Sequence, residues 1–123
     1  VTATRPELTT ATVLAGLGIF QAALAAGAPW GRAAYGGTHD GTLPRHLRMI
    51  SGAASVAYGT TAVLAVRGSG TPDVRRTAYT ALSVFMGLGT LANAASRSPV
   101  ERAIWTPVAA TATVSAWRAR RHR

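Results

Sequence analysis

LTTATVLAGLGIFQAALAAGAPWG, residues 8–31, runs from Glu7 to Arg32 without a single Asp, Glu, Lys or Arg. A bilayer core of about 30 Å is crossed by roughly 20 apolar helical residues, so the stretch is long enough to span one. Three more charge-free gaps follow, of 18, 20 and 15 residues, between Arg48 and Arg67, Arg76 and Arg97, and Arg102 and Arg118. The last is short, but the aliphatic stem of Arg118 can carry its charge out to the interface. Composition agrees: 48% of the chain is hydrophobic and 14% charged, against about a quarter charged in soluble proteins. The expected fold class is all-α, an integral membrane up-and-down four-helix bundle forming one domain over residues 1–123.

The net charge of +9 raises the alternative of a soluble basic bundle that binds nucleic acid. Such a helix carries arginine along one face, whereas here the arginines stand at the breaks between apolar segments, so no nucleic-acid partner is expected. All thirteen basic residues are arginine; with the heavy use of Ala, Gly and Thr, this reads as coding bias. The absence of cysteine excludes disulfides and thiolate metal sites. Signal-peptide apolar regions run about 7 to 15 residues, so the longer first segment is expected to remain as a mature helix.

Proline marks four helix starts. Thr4-Arg5-Pro6-Glu7, Thr42-Leu43-Pro44, Thr71-Pro72-Asp73 and Ser98-Pro99-Val100-Glu101 each place Pro in a first turn, where its missing N–H costs nothing, behind a Thr or Ser able to cap free donors. Thr4 with Glu7, and Ser98 with Glu101, also have capping-box spacing. The expected helices are 6–27, 44–66, 72–96 and 99–119, with a basic tail over 118–123. Pro107 should kink or open the last of them. Glycines 16, 18, 52, 59, 87 and 89 are expected where neighbouring backbones approach closely.

Four spans put Arg5, Arg67, Arg75, Arg76, Arg118, Arg120, Arg121 and Arg123 on one side, and Arg32, Arg45, Arg48, Arg97 and Arg102 on the other. Eight against five places both termini in the cytoplasm, with the chain multi-pass in the cell inner membrane. Trp30, Trp105 and Trp117 fall near span ends, as interfacial aromatics do.

The chemistry-bearing residues collect on the opposite side. Trp30, Arg32, Tyr35, His39, Asn93, Arg97, Arg102 and Trp105 form the candidate ligand-binding set. Glu101 and Asp40 are the candidate acids. Glu101 has a plain structural role as a capping residue at a helix start, and Asp40-Gly41 as a solvated turn. His39, Asp40 and His46 are too few and too scattered for a metal site, so neither metal nor cofactor is expected. Gln21 and Asn93, the strongly polar side chains inside the spans, are expected to bond between helices. No carboxylate falls inside a predicted span, so proton-coupled antiport is not expected.

GAPWGRAAYGG, LPRHLR and NAASRSPVERAIWTP together resemble a group of small four-span bacterial membrane proteins, often actinobacterial, with no assigned function. The resemblance implies a membrane location and weight on Pro29, Trp30, Gly31, Asn93, Ser96, Glu101, Trp105 and Pro107; it implies no mechanism.

The expected function is that of a small multi-pass protein, homo-oligomeric and surrounded by membrane lipids. It would bind or pass a small or lipophilic molecule, or support a membrane partner, through its non-cytoplasmic polar cluster. The alternative is a membrane enzyme acting on an isoprenoid-like substrate, with Glu101 or Asp40 as general acid and Asn93 or Tyr35 orienting it. An acid needs a carboxyl kept protonated, and Glu101 stands between Arg97 and Arg102 in sequence, which argues against that reading.

Overall fold

The computed structural model describes residues 3–68, 70–96 and 98–121. Among them it is entirely helical, with four long helices: α1 (Arg5–Ala25), α2 (Arg45–Arg67), α3 (Pro72–Ala94) and α4 (Pro99–Ala119). Two short 3-10 turns, Gly31–Ala33 and Tyr35–Gly37, lie in the connection between α1 and α2.

Three of the four expected starts are built from the expected chemistry. Thr4 accepts from the Glu7 N–H, and Glu7 returns a carboxylate oxygen to the Thr4 N–H at 2.9 Å, closing a full capping box. Thr71 accepts from Val74 N–H at 3.2 Å, and Ser98 from Glu101 N–H at 3.3 Å. The second start differs. Thr42 caps nothing, because its hydroxyl donates to the Gly27 carbonyl at 3.0 Å; Pro44 is itself the N-cap and provides no side-chain hydrogen bond. α2 ends on Gly68 in the left-handed conformation, φ +64°, a position that suits glycine. α4 continues as one helix through Pro107.

α1 packs against α2 and α4, and α3 packs against α4, giving the order α2–α1–α4–α3. Each packed pair is joined by a hydroxyl. Ser55 of α2 donates to the Gly18 carbonyl of α1 at 2.8 Å. Thr10 of α1 donates to Ser115 of α4 at 2.8 Å, and Ser83 of α3 donates to the Thr113 carbonyl of α4, also at 2.8 Å. Other hydroxyls, including those of Thr61, Thr80 and Thr111, bond the carbonyl four residues back on their own helix.

Of the glycines, Gly18 meets the expectation of close approach: a Cβ there would lie 3.4 Å from the Ser55 carbonyl oxygen. The Gly59 backbone N takes part in the same approach, 3.5 Å from that point, whereas Gly16 and Gly89 do not meet the expectation, since a Cβ at either would find nothing within 4 Å.

Small and polar groups occupy the interior. Ala112, Ala116 and Ala119 are buried along α4, and Glu7, Thr10 and Ser51 are completely enclosed. Leu14, Leu24, Tyr79 and Met86 are buried with them, but many other large apolar side chains point outward: Ile19 is 72% exposed, with Val56, Leu88 and Leu91 also prominent. Two helices, Arg5–Ala25 and Arg45–Arg67, are long and apolar enough to cross a membrane by length and composition. The expectation of four such helices is thus met for α1 and α2; α3 and α4 are equally long but less apolar.

Candidate functional site

The connection between α1 and α2 folds back over one end of the bundle because its backbone leaves room for little else. Gly31 donates to the Gly41 carbonyl at 2.8 Å, closing the loop. A Cβ at Gly31 would stand 2.5 Å from the His39 carbonyl oxygen and 2.7 Å from that of Gly41, so only glycine fits. Leu24, Ala34 and Leu43 are buried together beneath it.

Side chains from two helices, α2 and α4, hold this loop down. Arg48 of α2 donates to the Ala25 carbonyl at 3.1 Å. Ser98 at the start of α4 donates to the Arg32 carbonyl at 2.6 Å, and the Trp105 indole N–H donates to the Ala33 carbonyl at 2.6 Å. The Tyr35 hydroxyl shares a 2.9 Å hydrogen bond with Ser51. Tyr35 also sits at φ +49°, a left-handed geometry that a bulky residue keeps only when its surroundings hold it there.

Under this lid is a cavity of ≈ 190 Å³. Phe20 and Gln21 come from α1, Tyr58 from α2, Phe85, Met86 and Asn93 from α3, and Glu101 and Trp105 from α4, while Ala34 and Tyr35 close the top. Phe20 is central to the aromatic wall. Its ring lies 4.5 Å from that of Trp105 at 53°, and 6.2 Å from that of Trp30 in a nearly parallel stack.

Glu101 supplies the carboxyl group. It is 6% exposed, and its Oε1 is buried with no hydrogen-bond partner. Its backbone is capped by Ser98, but its carboxylate does not complete the capping box. The Ser98 N–H that it would accept from is taken by the Ser96 hydroxyl at 3.1 Å. The helix cap therefore uses the Glu101 backbone and leaves its side chain to the cavity. A buried carboxylate oxygen without a donor is costly. The Gln21 Oε1 is likewise buried and unpartnered on the same cavity.

The structure divides the expected site residues. Tyr35, Asn93, Glu101 and Trp105 line one cavity. Trp30 supports it from outside through Phe20 and is half exposed. Arg32 and Asp40 form an ion pair at 2.6 Å, but both lie at the surface, with side chains 72% and 73% exposed. That hydrogen bond holds the Asp40 carboxyl below its ordinary range and raises the Arg32 guanidinium, each helped by the partner's charge. His39 bonds its neighbour Thr38 through Nδ1 at 3.1 Å. Arg102 turns outward, donating to the Ser96 carbonyl at 2.6 Å. Arg97 and Arg123 lie outside the described residues.

Two readings of polar residues need correction. Asn93 does not bond another helix; its Nδ2 donates to the Gly89 carbonyl one turn back at 2.8 Å. Gln21 shows no interhelical bond to its Oε1 and belongs to the cavity, together with Phe20 and Tyr58, none of which the sequence marked as site residues. A lone amide within a charge-free helix was the available signal for Gln21. Among the described residues no three of His, Cys, Asp or Glu gather as metal ligands. A larger groove, ≈ 470 Å³, lies at the opposite end beside Arg5 and Arg118, but none of the buried unpartnered atoms lines it.

No protein-family model, curated protein or solved structure matches the chain. The site's own geometry carries the functional argument.

Proposed function

We propose that the chain is a small multi-pass membrane protein that binds a small amphipathic molecule in the cavity beneath the 26–44 connection. The observation that carries the reading is the Glu101 carboxylate, buried at 6% exposure with an unpartnered oxygen among aromatic rings. Ligand sites combine an apolar lining with a few convergent polar groups in this way.

Several features support a bilayer as the surrounding solvent. α1 and α2 are long and apolar enough to span, α3 and α4 contain charge-free runs of nearly the same length, and many large apolar side chains, among them Ile19, Val56, Leu88 and Leu91, face outward. In hydrocarbon those outward side chains meet a matching solvent, whereas in water each would stay exposed at a cost. The excess of arginine at the end holding both termini favours a cytoplasmic position for that end, which puts the cavity near the opposite face. The open glycine positions Gly16 on α1 and Gly59 on α2 leave room for contact between copies.

The enzyme alternative is narrowed to Glu101 because Asp40 is an exposed partner of Arg32 and does not line the cavity. The buried unpartnered acceptors of Glu101 and Gln21 on the cavity favour binding as its role.

A structure of the full chain in a lipidic phase, without added ligand, tests the reading. Non-protein density is expected between Tyr35, Glu101 and Trp105 and should vanish in Gly89→Phe, which fills open space on the cavity wall. The same ordered water alone in both proteins would overturn it.

A further inference from the structure

The buried unpartnered polar atoms on the cavity walls are of one kind. The Asn93 amide N–H donates to Gly89, the Trp105 indole N–H donates to Ala33, and the Tyr35 hydroxyl is engaged with Ser51. These three donors are already in use. The two buried atoms left without partners on the cavity, Glu101 Oε1 and Gln21 Oε1, are both acceptors. An anionic or carbonyl-bearing occupant would bring further acceptors to two buried acceptors that already lack donors, and would meet a carboxylate. A molecule bearing N–H donors and positive charge complements both.

The rings point to the same chemistry. Phe20 and Trp105 meet at 4.5 Å, and Tyr58 and Phe85 also line the cavity. Aromatic faces attract organic ammonium groups through their quadrupole, most strongly where water is displaced. A carboxylate beside such rings adds a charge-assisted hydrogen bond, about twice as strong as a neutral one. The volume of ≈ 190 Å³ limits the occupant to a small body, such as one ring or a short alkyl chain.

Building on the cavity reading above, we propose that the ligand is a small organic ammonium ion: an amine with an apolar or aromatic body, its N–H groups directed at Glu101 and Gln21.

Benzylammonium and benzyl alcohol form a matched pair for the test, differing chiefly in charge and donor number. The full chain is reconstituted in phosphatidylcholine nanodiscs, which carry no net lipid charge, with empty discs as control. Binding is followed by calorimetry and by tryptophan fluorescence. Benzylammonium should bind wild type at least about tenfold more tightly than the alcohol. Glu101→Gln should remove that preference, and Gly89→Phe, which leaves the carboxylate in place, should abolish binding of both.

Equal affinity for the two probes, blocked by Gly89→Phe, would overturn the ammonium assignment while leaving the cavity as a ligand site. An ammonium preference that survives Gly89→Phe would place the cation elsewhere and overturn the assignment as well. If neither probe binds, the assignment falls, and the ligand-free lipidic structure decides separately whether the cavity reading falls with it. Should Glu101→Gln fail to fold, the comparison of the two probes on wild type and on Gly89→Phe still decides.

Discussion

Ser98 accepts the backbone N–H of Glu101 at 3.3 Å, yet receives no carboxylate oxygen in return. The equivalent pair at the start of α1, Thr4 and Glu7, is fully reciprocal. Sequence alone makes the two motifs look alike. What separates them is competition for a single donor, the Ser98 N–H, which Ser96 takes at 3.1 Å.

Removing that competitor should convert one motif into the other. In Ser96→Ala the Ser98 N–H becomes available, and Glu101 is expected to swing back and complete the box. Stability should change by less than about 1 kcal/mol, since one cap bond replaces another. Occupancy of the cavity should fall. A structure of the variant with Glu101 still facing the cavity would refute this.

Thr4→Ala and Ser98→Ala should differ in cost. The first loses a cap worth about 1 kcal/mol. The second loses a cap and also the bond that ties the loop at Arg32 to α4, for a total of about 2 kcal/mol. Denaturant titration of the two variants in the same detergent gives the comparison; equal midpoints would show that the Ser98–Arg32 tether adds nothing.

Gly31→Ala should loosen the loop because its Cβ would collide with two carbonyl oxygens that are part of the loop closure. A loss of about 1–3 kcal/mol is expected, accompanied by faster proteolysis within residues 27–44. Gly36→Ala is the control: Gly36 has φ +76° but nothing within 4 Å of a Cβ, so backbone strain alone should cost about 1 kcal/mol. Similar proteolysis of both variants would argue against the collision.

Acid should weaken the Arg32–Asp40 pair in a defined direction. The Asp40 carboxyl lies below its usual range because of its hydrogen bond to Arg32 and that residue's charge. Whatever the pair contributes is therefore fully present above the ordinary Asp range, near 3.9, and is lost as pH falls through the lower folded value. Both groups are exposed, so the effect should be small and further reduced by salt. Carboxyl NMR of Asp40 during acid titration reads it directly, and a midpoint at or above the ordinary value would contradict the pairing.

Because the chain has no cysteine, single cysteines can report the proposed topology. Thr71→Cys and Asp40→Cys, at opposite ends of the bundle, should react with an impermeant maleimide from opposite sides of sealed vesicles, Asp40→Cys from the non-cytoplasmic side. Labelling of both from the same side would refute the four-span arrangement.

The fold was legible where one signal was written directly into the chain. Proline after Thr or Ser located the starts of α1, α3 and α4 because the capping geometry is local. Thr42 misled because its hydroxyl finds a partner fifteen residues away, at Gly27. Glu101 was visible as a candidate, but its neighbours pointed the wrong way. Successive helical residues are turned by about 100°, so Arg102 faces outward while Glu101 faces the cavity, and proximity in sequence exaggerates their interaction. Asn93 shows the same limit: an amide in an apolar helix predicts a need for a partner, and the carbonyl one turn away satisfied it.

Trp105 has two duties that cannot be separated. Its ring forms part of the cavity wall, while its N–H grips the Ala33 carbonyl at 2.6 Å. A guest that tilts the indole must also tug on that carbonyl, and through it on the segment leading to the left-handed turn at Tyr35. Thermodynamic reciprocity then makes the coupling run both ways, a shift in the segment changing the hold on the guest by as much as the guest changes the segment, so amide exchange at residues 33–37 should register occupancy.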